Sequence, residues 1–353
     1  MSPLQRRVAL GLLAMLLVAL PPAMQALGAG YYVSTAGRIV VFAIAATSLN
    51  LVLGYGGMVS FGHAAFFGLG AYATGVLVSE GVLNAGAHLL ATMALTALAA
   101  LVIGAISLRT RGVYFIMITL AFGQMLYYLA NSIKGYGGDE GLNIRARSLL
   151  GFGLDLKDAP TFYYVALVAL AVTLLGLNAF VRSRFGRTIV AIRDDDLRAE
   201  ALGFATYRMR LAVFVAAGAI AGIAGALYAH HATYMDSTTF NIMLGVEILV
   251  FVVVGGGSTF WGPLVGAAVL NAIPEFLRAL REWLELVPVE WTNFYPMNRV
   301  YDFLHGFLDF ENAKRLIVYG IILILMMIFR PDGLLTRDSV RRLRLPGWKR
   351  RHA

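Results

Sequence analysis

RSRFGRTIVAIRDDDLRAEALGFATYRMR, residues 182–210, lies between two long apolar runs and carries seven arginines and no lysine. Its middle reads as a short helix. Asp194, Asp195 and Asp196 stand where acidic groups favour a helix N-terminus, and Gly203 stands where a helix stops. Between them, Leu197 to Leu202 alternates apolar and charged residues, the pattern of a helix lying on a surface. Arginines clustered beside apolar segments mark the cytoplasmic side of a membrane protein. The stretch is therefore expected to be a cytoplasmic loop that meets something outside the membrane.

Working outward, 59% of the 353 residues are hydrophobic and 14% are charged. A soluble chain carries roughly a quarter charged residues. Apolar runs of about 20 residues, each able to cross a hydrocarbon core, recur along the chain. In lipid the backbone of such runs must bond within itself, so the fold is expected to be all-α and polytopic. The absence of cysteine excludes a disulfide, a thiolate metal site and a cysteine nucleophile. A net charge of +9 has its simplest explanation in membrane topology, so membrane lipid and not nucleic acid is the expected surrounding.

Ten apolar segments serve as spans: Val8–Leu20, Arg38–Leu53, Met58–Ser79, Ala87–Leu108, Gly112–Asn131, Thr161–Val181, Leu211–Ala229, Ile242–Val254, Pro263–Leu280 and Leu316–Phe329. The first, with Arg6 and Arg7 before it and Pro21-Pro22 after it, reads either as a signal peptide or as a span that ends at the prolines. An even number of spans selects the span. Both termini then share a side with the 109–111 turn and the 182–210 loop, and that side holds 19 of the 29 Lys and Arg residues. Such an asymmetry places it in the cytoplasm. Residues 1–335 are expected to form a single transmembrane domain, with an extended outer loop at 281–313 and a basic tail at 336–353. The glycine-rich stretches 54–62 and 255–262 fall on the same side by parity; each pair of flanking segments is alternatively re-entrant.

Several chemistries are excluded. The lysines are Lys134, Lys157, Lys314 and Lys349, and none is followed by Ser or Thr, so no Walker-type phosphate loop is present. His230 and His231 are adjacent and do not share a helix face, and no other His or Cys spacing suits a metal. No Gly-x-Ser-x-Gly elbow is present. The chain is thus expected to be neither an ATPase nor a hydrolase, and to hold no metal or other cofactor. Polar groups inside the apolar segments are few. Glu247 is the acid of the eighth span, and burying a lone carboxylate costs about 2.5–3.5 kcal/mol unless it finds a partner or water. Gly56 at a span's edge, Ser60, His63, Gln124 and Asn271 join it as candidates for a solute pathway, with interhelical hydrogen bonding as their plainer use. So weakly charged a pathway suits a zwitterionic or apolar solute better than an ion-coupled carrier.

LNLVLGYGGMVSFGHAAFFGLGAYATGVL (49–77), RGVYFIMITLAFGQM (111–125), FGRTIVAIRDDDLRAEALGF (185–204) and FRPDGLL (329–335) closely resemble the LivM-type permease of bacterial branched-chain amino acid ABC importers. The resemblance runs in order over most of 38–280 and resumes at 316–335. It implies a translocating subunit without catalysis of its own in the inner membrane. It further implies a LivH-like second permease, two ATP-binding subunits that carry ATP-Mg, and a periplasmic solute-binding protein. The family's Glu-Ala…Gly loop docks on the ATPases, which assigns ATPase coupling to Arg193, Asp194, Asp195, Asp196, Glu200, Ala201 and Gly203. Asp139, Glu140, Arg145 and Arg147 are the matching candidates for contact with the binding protein. Urea and amide importers use similar permeases, and a self-sufficient ion-coupled carrier is the alternative from a different class.

Overall fold

A computed structural model describes residues 3–26, 28, 30–82, 84–144, 156, 158–232, 234–257, 259–285, 312–330 and 333–335. Twelve α-helices lie among these residues: α1 (Pro3–Ala26), α2 (Gly30–Asn50), α3 (His63–Ser79), α4 (Ala85–Ser107), α5 (Val113–Ser132), α6 (Ala159–Arg182), α7 (Arg184–Asp194), α8 (Asp196–Ala201), α9 (Thr206–Ala232), α10 (Ile242–Gly255), α11 (Gly262–Glu285) and α12 (Asn312–Phe329). A two-residue strand β1 (Leu142–Asn143) pairs antiparallel with β2 (Tyr234–Met235). Ten of the helices coincide with the ten apolar segments. Five stretches, Gly30–Tyr55, Ala85–Ser107, Val113–Ser132, Ala159–Arg182 and Thr206–Ala232, are each long and apolar enough to cross a membrane.

The span built on α2 is the centre of the bundle. It runs on through a π-helical turn, Leu51–Tyr55, and 78% of its apolar window is buried, against 22–28% for α4, α5 and α6. Helix α9 packs against α3 and α4 through glycines. A Cβ on Gly225 would collide with the Phe67 carbonyl, one on Gly70 with the Gly222 backbone, and one on Gly222 with the Thr96 side chain. Where lipid supplies no hydrophobic drive, this backbone approach is what holds helices together. The small residues of the third span are therefore packing residues.

Two expectations change. The first span does not stop at Pro21-Pro22; α1 continues to Ala26. A proline lacks the N–H that the carbonyl four residues earlier needs, which should leave Leu17 and Val18 unpaired. Tyr163 Oη donates to Leu17 O and Tyr164 Oη to Val18 O, both at 2.9 Å, so α6 completes α1. Likewise Pro274 inside α11 frees the Leu270 carbonyl, and Tyr319 Oη of α12 donates to it at 3.2 Å. The third span, expected from Met58, is helical only from His63. The chain turns first at Gly57, whose φ of +69° suits glycine alone, and a Cβ on Gly62 would strike the Thr119 carbonyl of α5.

The two glycine-rich turns lie at one end of the bundle, as parity requires. Asn50 Nδ2 donates to Thr259 O at 2.9 Å, and Leu334 N and Leu335 N donate to Val254 O and Gly255 O. The 110–112 turn and α7–α8 share this end. At the other end Tyr136 Oη donates to Glu80 Oε1 at 2.9 Å, and the carboxylate holds the phenol proton above its ordinary range. Tyr72 Oη donates to Tyr136 O, and Tyr234 Oη to Glu140 O, each at 2.7 Å.

Candidate functional site

The stretch 182–210 folds as two helices. Arg184–Asp194 is helical as well, because Ile189 and Ile192 are buried among Leu51, Val52, Val213 and their neighbours. Ser183 caps α7, accepting from Gly186 N at 3.0 Å. The three aspartates, expected to share one helix start, divide the work. Asp194 ends α7 and pairs with Arg193 at 2.8 Å. Asp195 is the N-cap of α8, accepting from Arg198 N at 3.0 Å. Asp196 turns inward and bridges Arg111 and Arg210, each at 3.1 Å. Gly203, at φ +85°, closes α8 in a Schellman motif: Gly203 N donates to Glu200 O and Phe204 N to Ala199 O.

Glu200 also faces the bundle. Its Oε1 accepts from Thr206 Oγ1 at 2.8 Å and lies 3.5 Å from Arg111 Nη2. Two of the acids expected to meet a partner, Asp196 and Glu200, are thus engaged in fastening α8 to the 110–112 turn and to α9. Beside the exposed Arg198, α8 and its C-terminal turn present apolar groups outward: Leu197 is 73% exposed, Leu202 71%, and Ala201 and Phe204 are exposed beside them. Of α8 itself only Ala199 is buried. Sequence reading passed over Leu197, Leu202 and Phe204, although the apolar–charged alternation of that stretch was the signal for them. Gly57, Met58, Thr110, Arg111, Phe115 and Arg210 border a cavity of about 180 Å³ next to this element.

Arg193 points away from the exposed face. Its Nη1 donates to Gly54 O at 2.6 Å, at the end of the π-turn of α2, while Nε and Nη2 hold Asp194 Oδ1. From there the chain enters the polar part of the interior. The Gly56 Cβ position is filled by Val52 O, 2.6 Å away, so this glycine is a point of close packing. Ser60 is buried with its hydroxyl unpartnered. His63 Nε2 and Ser48 Oγ are 2.7 Å apart, joining the first turn of α3 to α2, and His63 Nδ1 has no partner. Gln124 and Glu247 are half-buried on α5 and α10. Both helices pack on the α2–α3 junction, through Gly62 against Thr119 and Gly123, and through Gly245 against Phe61. Asn271 serves its own helix, donating to Ala267 O at 2.9 Å, with Oδ1 buried and unpartnered. The structure therefore brings Ser60 and His63 together at one junction, and places Asn271 on α11, which packs along α2.

At the opposite end Glu140 is exposed in a 3-10 turn, Gly138–Glu140, that also contains Asp139. Arg145 and Arg147 lie outside the described residues, as do 286–311 of the extended loop and the tail 336–353. His230 stacks on His88 and His231 lies against Phe162, so the adjacent histidines face different neighbours.

Residues 31–327 match the family described as "Branched-chain amino acid transport system / permease component". The chain is 27% identical over 326 residues to the high-affinity branched-chain amino acid transport system permease protein LivM of Escherichia coli K12, covering 86% of this chain and 69% of that one. It is 21% identical over 351 residues to a probable branched-chain amino acid transport permease protein LivM of Methanocaldococcus jannaschii, covering 85% and 92%. A shorter match, 26% over 155 residues and 40% of this chain, joins it to the autoinducer 2 import system permease protein LsrC of Salmonella typhi. No solved structure matches.

Proposed function

We propose, from the premise that this chain belongs to the branched-chain amino acid transport permease family, that it carries branched-chain or related amino acids across the bacterial inner membrane as one membrane subunit of an ABC importer. The observation that carries the reading is α8. A six-residue helix stands outside the bundle, fastened by its acids and offering Leu197, Ala201, Leu202 and Phe204 outward. Burial of such side chains in a groove is how one protein anchors in another. With no phosphate loop in the sequence, the groove belongs to ATP-binding subunits that hold ATP-Mg and hydrolyse it. The remaining partners are a second, LivH-like permease and a periplasmic solute-binding protein, the latter meeting the end that carries Asp139 and Glu140, with Arg145 and Arg147 its further candidates from the sequence.

In this arrangement the chain performs no covalent chemistry. ATP binding and hydrolysis in the partners displace α7–α8, and the bundle alternates between outward and inward access. The solute passes the α2–α3 junction, where Ser60 and His63 offer hydrogen-bonding groups to a zwitterion. The test is ATP-driven uptake by the reconstituted importer carrying Glu200→Arg or Gly203→Pro. The first sets a cation against Arg111 and removes the acceptor of Thr206; the second forces φ from +85° to about −65° and deletes an N–H of the Schellman motif. Both variants are expected to stay in the membrane and to lose uptake. Normal ATP-coupled uptake in both would overturn the reading.

A further inference from the structure

Helix α2 ends differently from its neighbours. Its π-turn leaves a staggered set of carbonyls: Leu51 O accepts from Gly56 N, Val52 O from Met58 N and Leu53 O from Gly57 N, all at 3.0–3.1 Å. Gly54 O takes a side chain, Arg193 Nη1, at 2.6 Å. A guanidinium at a helix C-terminus gains both a charge-assisted hydrogen bond and the attraction of the helix dipole. Two further features secure it. The other edge of the guanidinium holds Asp194 Oδ1 at 2.8 and 3.0 Å, which fixes its plane on the last turn of α7. Its stem lies over Gly57, where a Cβ would come within 2.5 Å of Arg193 Cγ. The side chain is only 19% exposed, so most of it is turned away from a partner docked from outside.

From these contacts we infer that Arg193 is a positioning residue that passes movement of α7–α8 into α2. The last turn of α7 and the last turn of α2 are fastened through one guanidinium. Three residues beyond Gly57 comes Ser60, buried and unpartnered, and then His63, tied back to Ser48 of α2. Apart from the local Asp195–Arg198 pair, the other ion pairs of the element reach the 110–112 turn and α9 and hold α8 in place. Arg193 reaches the most deeply buried span and the polar junction beside it.

The inference rests on the importer reading, and one experiment separates the two. The complete importer, reconstituted with its second permease, ATPases and binding protein, is assayed for amino acid taken up per ATP hydrolysed and for retention of the ATPases. Arg193→Ala is expected to keep the ATPases bound and hydrolysing while uptake per ATP falls roughly tenfold, within the range usual for coupling between sites. Arg193→Lys should recover part of the ratio, since an ammonium caps the carbonyl without also holding Asp194 in a planar fork. Gly57→Ala, which pushes the stem aside, should uncouple from the other partner. Because the chain has no cysteine, Ser60→Cys provides a single reporter, whose labelling rate should respond to ATP with Arg193 present and not with Arg193→Ala. The inference is overturned if uptake per ATP stays within about twofold of the unaltered importer, or if Arg193→Ala releases the ATPases, which would make the residue a docking contact. An unaltered importer that shows no ATP-driven uptake refutes the importer reading itself.

Discussion

Pro21, Pro22 and Pro274 each deprive a carbonyl of its N–H, and a tyrosine from a neighbouring helix supplies a donor to each carbonyl in turn. A buried, unpaired carbonyl costs on the order of 1–3 kcal/mol, more than a hydroxyl's ordinary hydrogen bond contributes. Tyr319→Phe is therefore expected to lower the stability of the detergent-purified protein by about 1–2 kcal/mol, read as a drop in melting temperature. In a Pro274→Ala background the backbone N–H returns, Leu270 O is satisfied within α11, and the same substitution should cost little. An equal cost in both backgrounds would refute the pairing. The prolines are plain in the sequence and read locally as the end of the first span. The correction was not legible, because Tyr163 stands 146 residues from Leu17, and no local pattern announces a donor so far along the chain.

Among the elements, α8 shows which parts of a site a sequence reveals. Gly203 was read correctly as a stop, since a positive φ after a helix is a demand that glycine meets with least strain. Of the acids before it, Asp195 and Asp196 do form a helix start, whereas Asp194 ends the preceding helix, and the three are not equivalent. Their separate duties depend on Arg111 and Arg210, which only the fold brings to Asp196. Helix α7 was missed because Thr188, Ile189 and Val190 are weak helix formers. Burial of Ile189 and Ile192 against α2 and α9 decides its conformation instead. A helix of six residues has no stability of its own, so its cap matters more than in a long span. Asp195→Ala should cost about 1 kcal/mol and Asp195→Ser much less. Hydrogen exchange over 196–204 is the measure: faster exchange with Ala and near-native exchange with Ser are expected. Unchanged protection in Asp195→Ala would show that the ion pairs alone hold α8.

For the molecule as a whole, the apolar segments were legible as helices because hydropathy records the environment residue by residue. The polar residues that meet at the α2–α3 junction were legible only as candidates, since Ser48, the partner of His63, looked like one more small residue of a span. The fold adds a test of direction that composition alone does not provide. Arg111, Arg193, Asp196 and Arg210 are joined to one another or to the α2 turn at one end, while Glu80, Tyr136, Glu140 and Tyr234 are joined at the other. By its arginine excess the first end is expected to face the cytoplasm. Two single-cysteine variants decide it against a background free of cysteine. At Gly135 a Cβ meets nothing within 4 Å, and Leu202 is 71% exposed, so both sites accept a reporter without repacking. A membrane-impermeant maleimide is expected to label Gly135→Cys in cells whose inner membrane is intact. Leu202→Cys should react only after that membrane is opened, and more slowly once the ATPases are bound over α8. The reverse order of labelling would invert the topology and place α8 where no cytoplasmic ATPase can reach it.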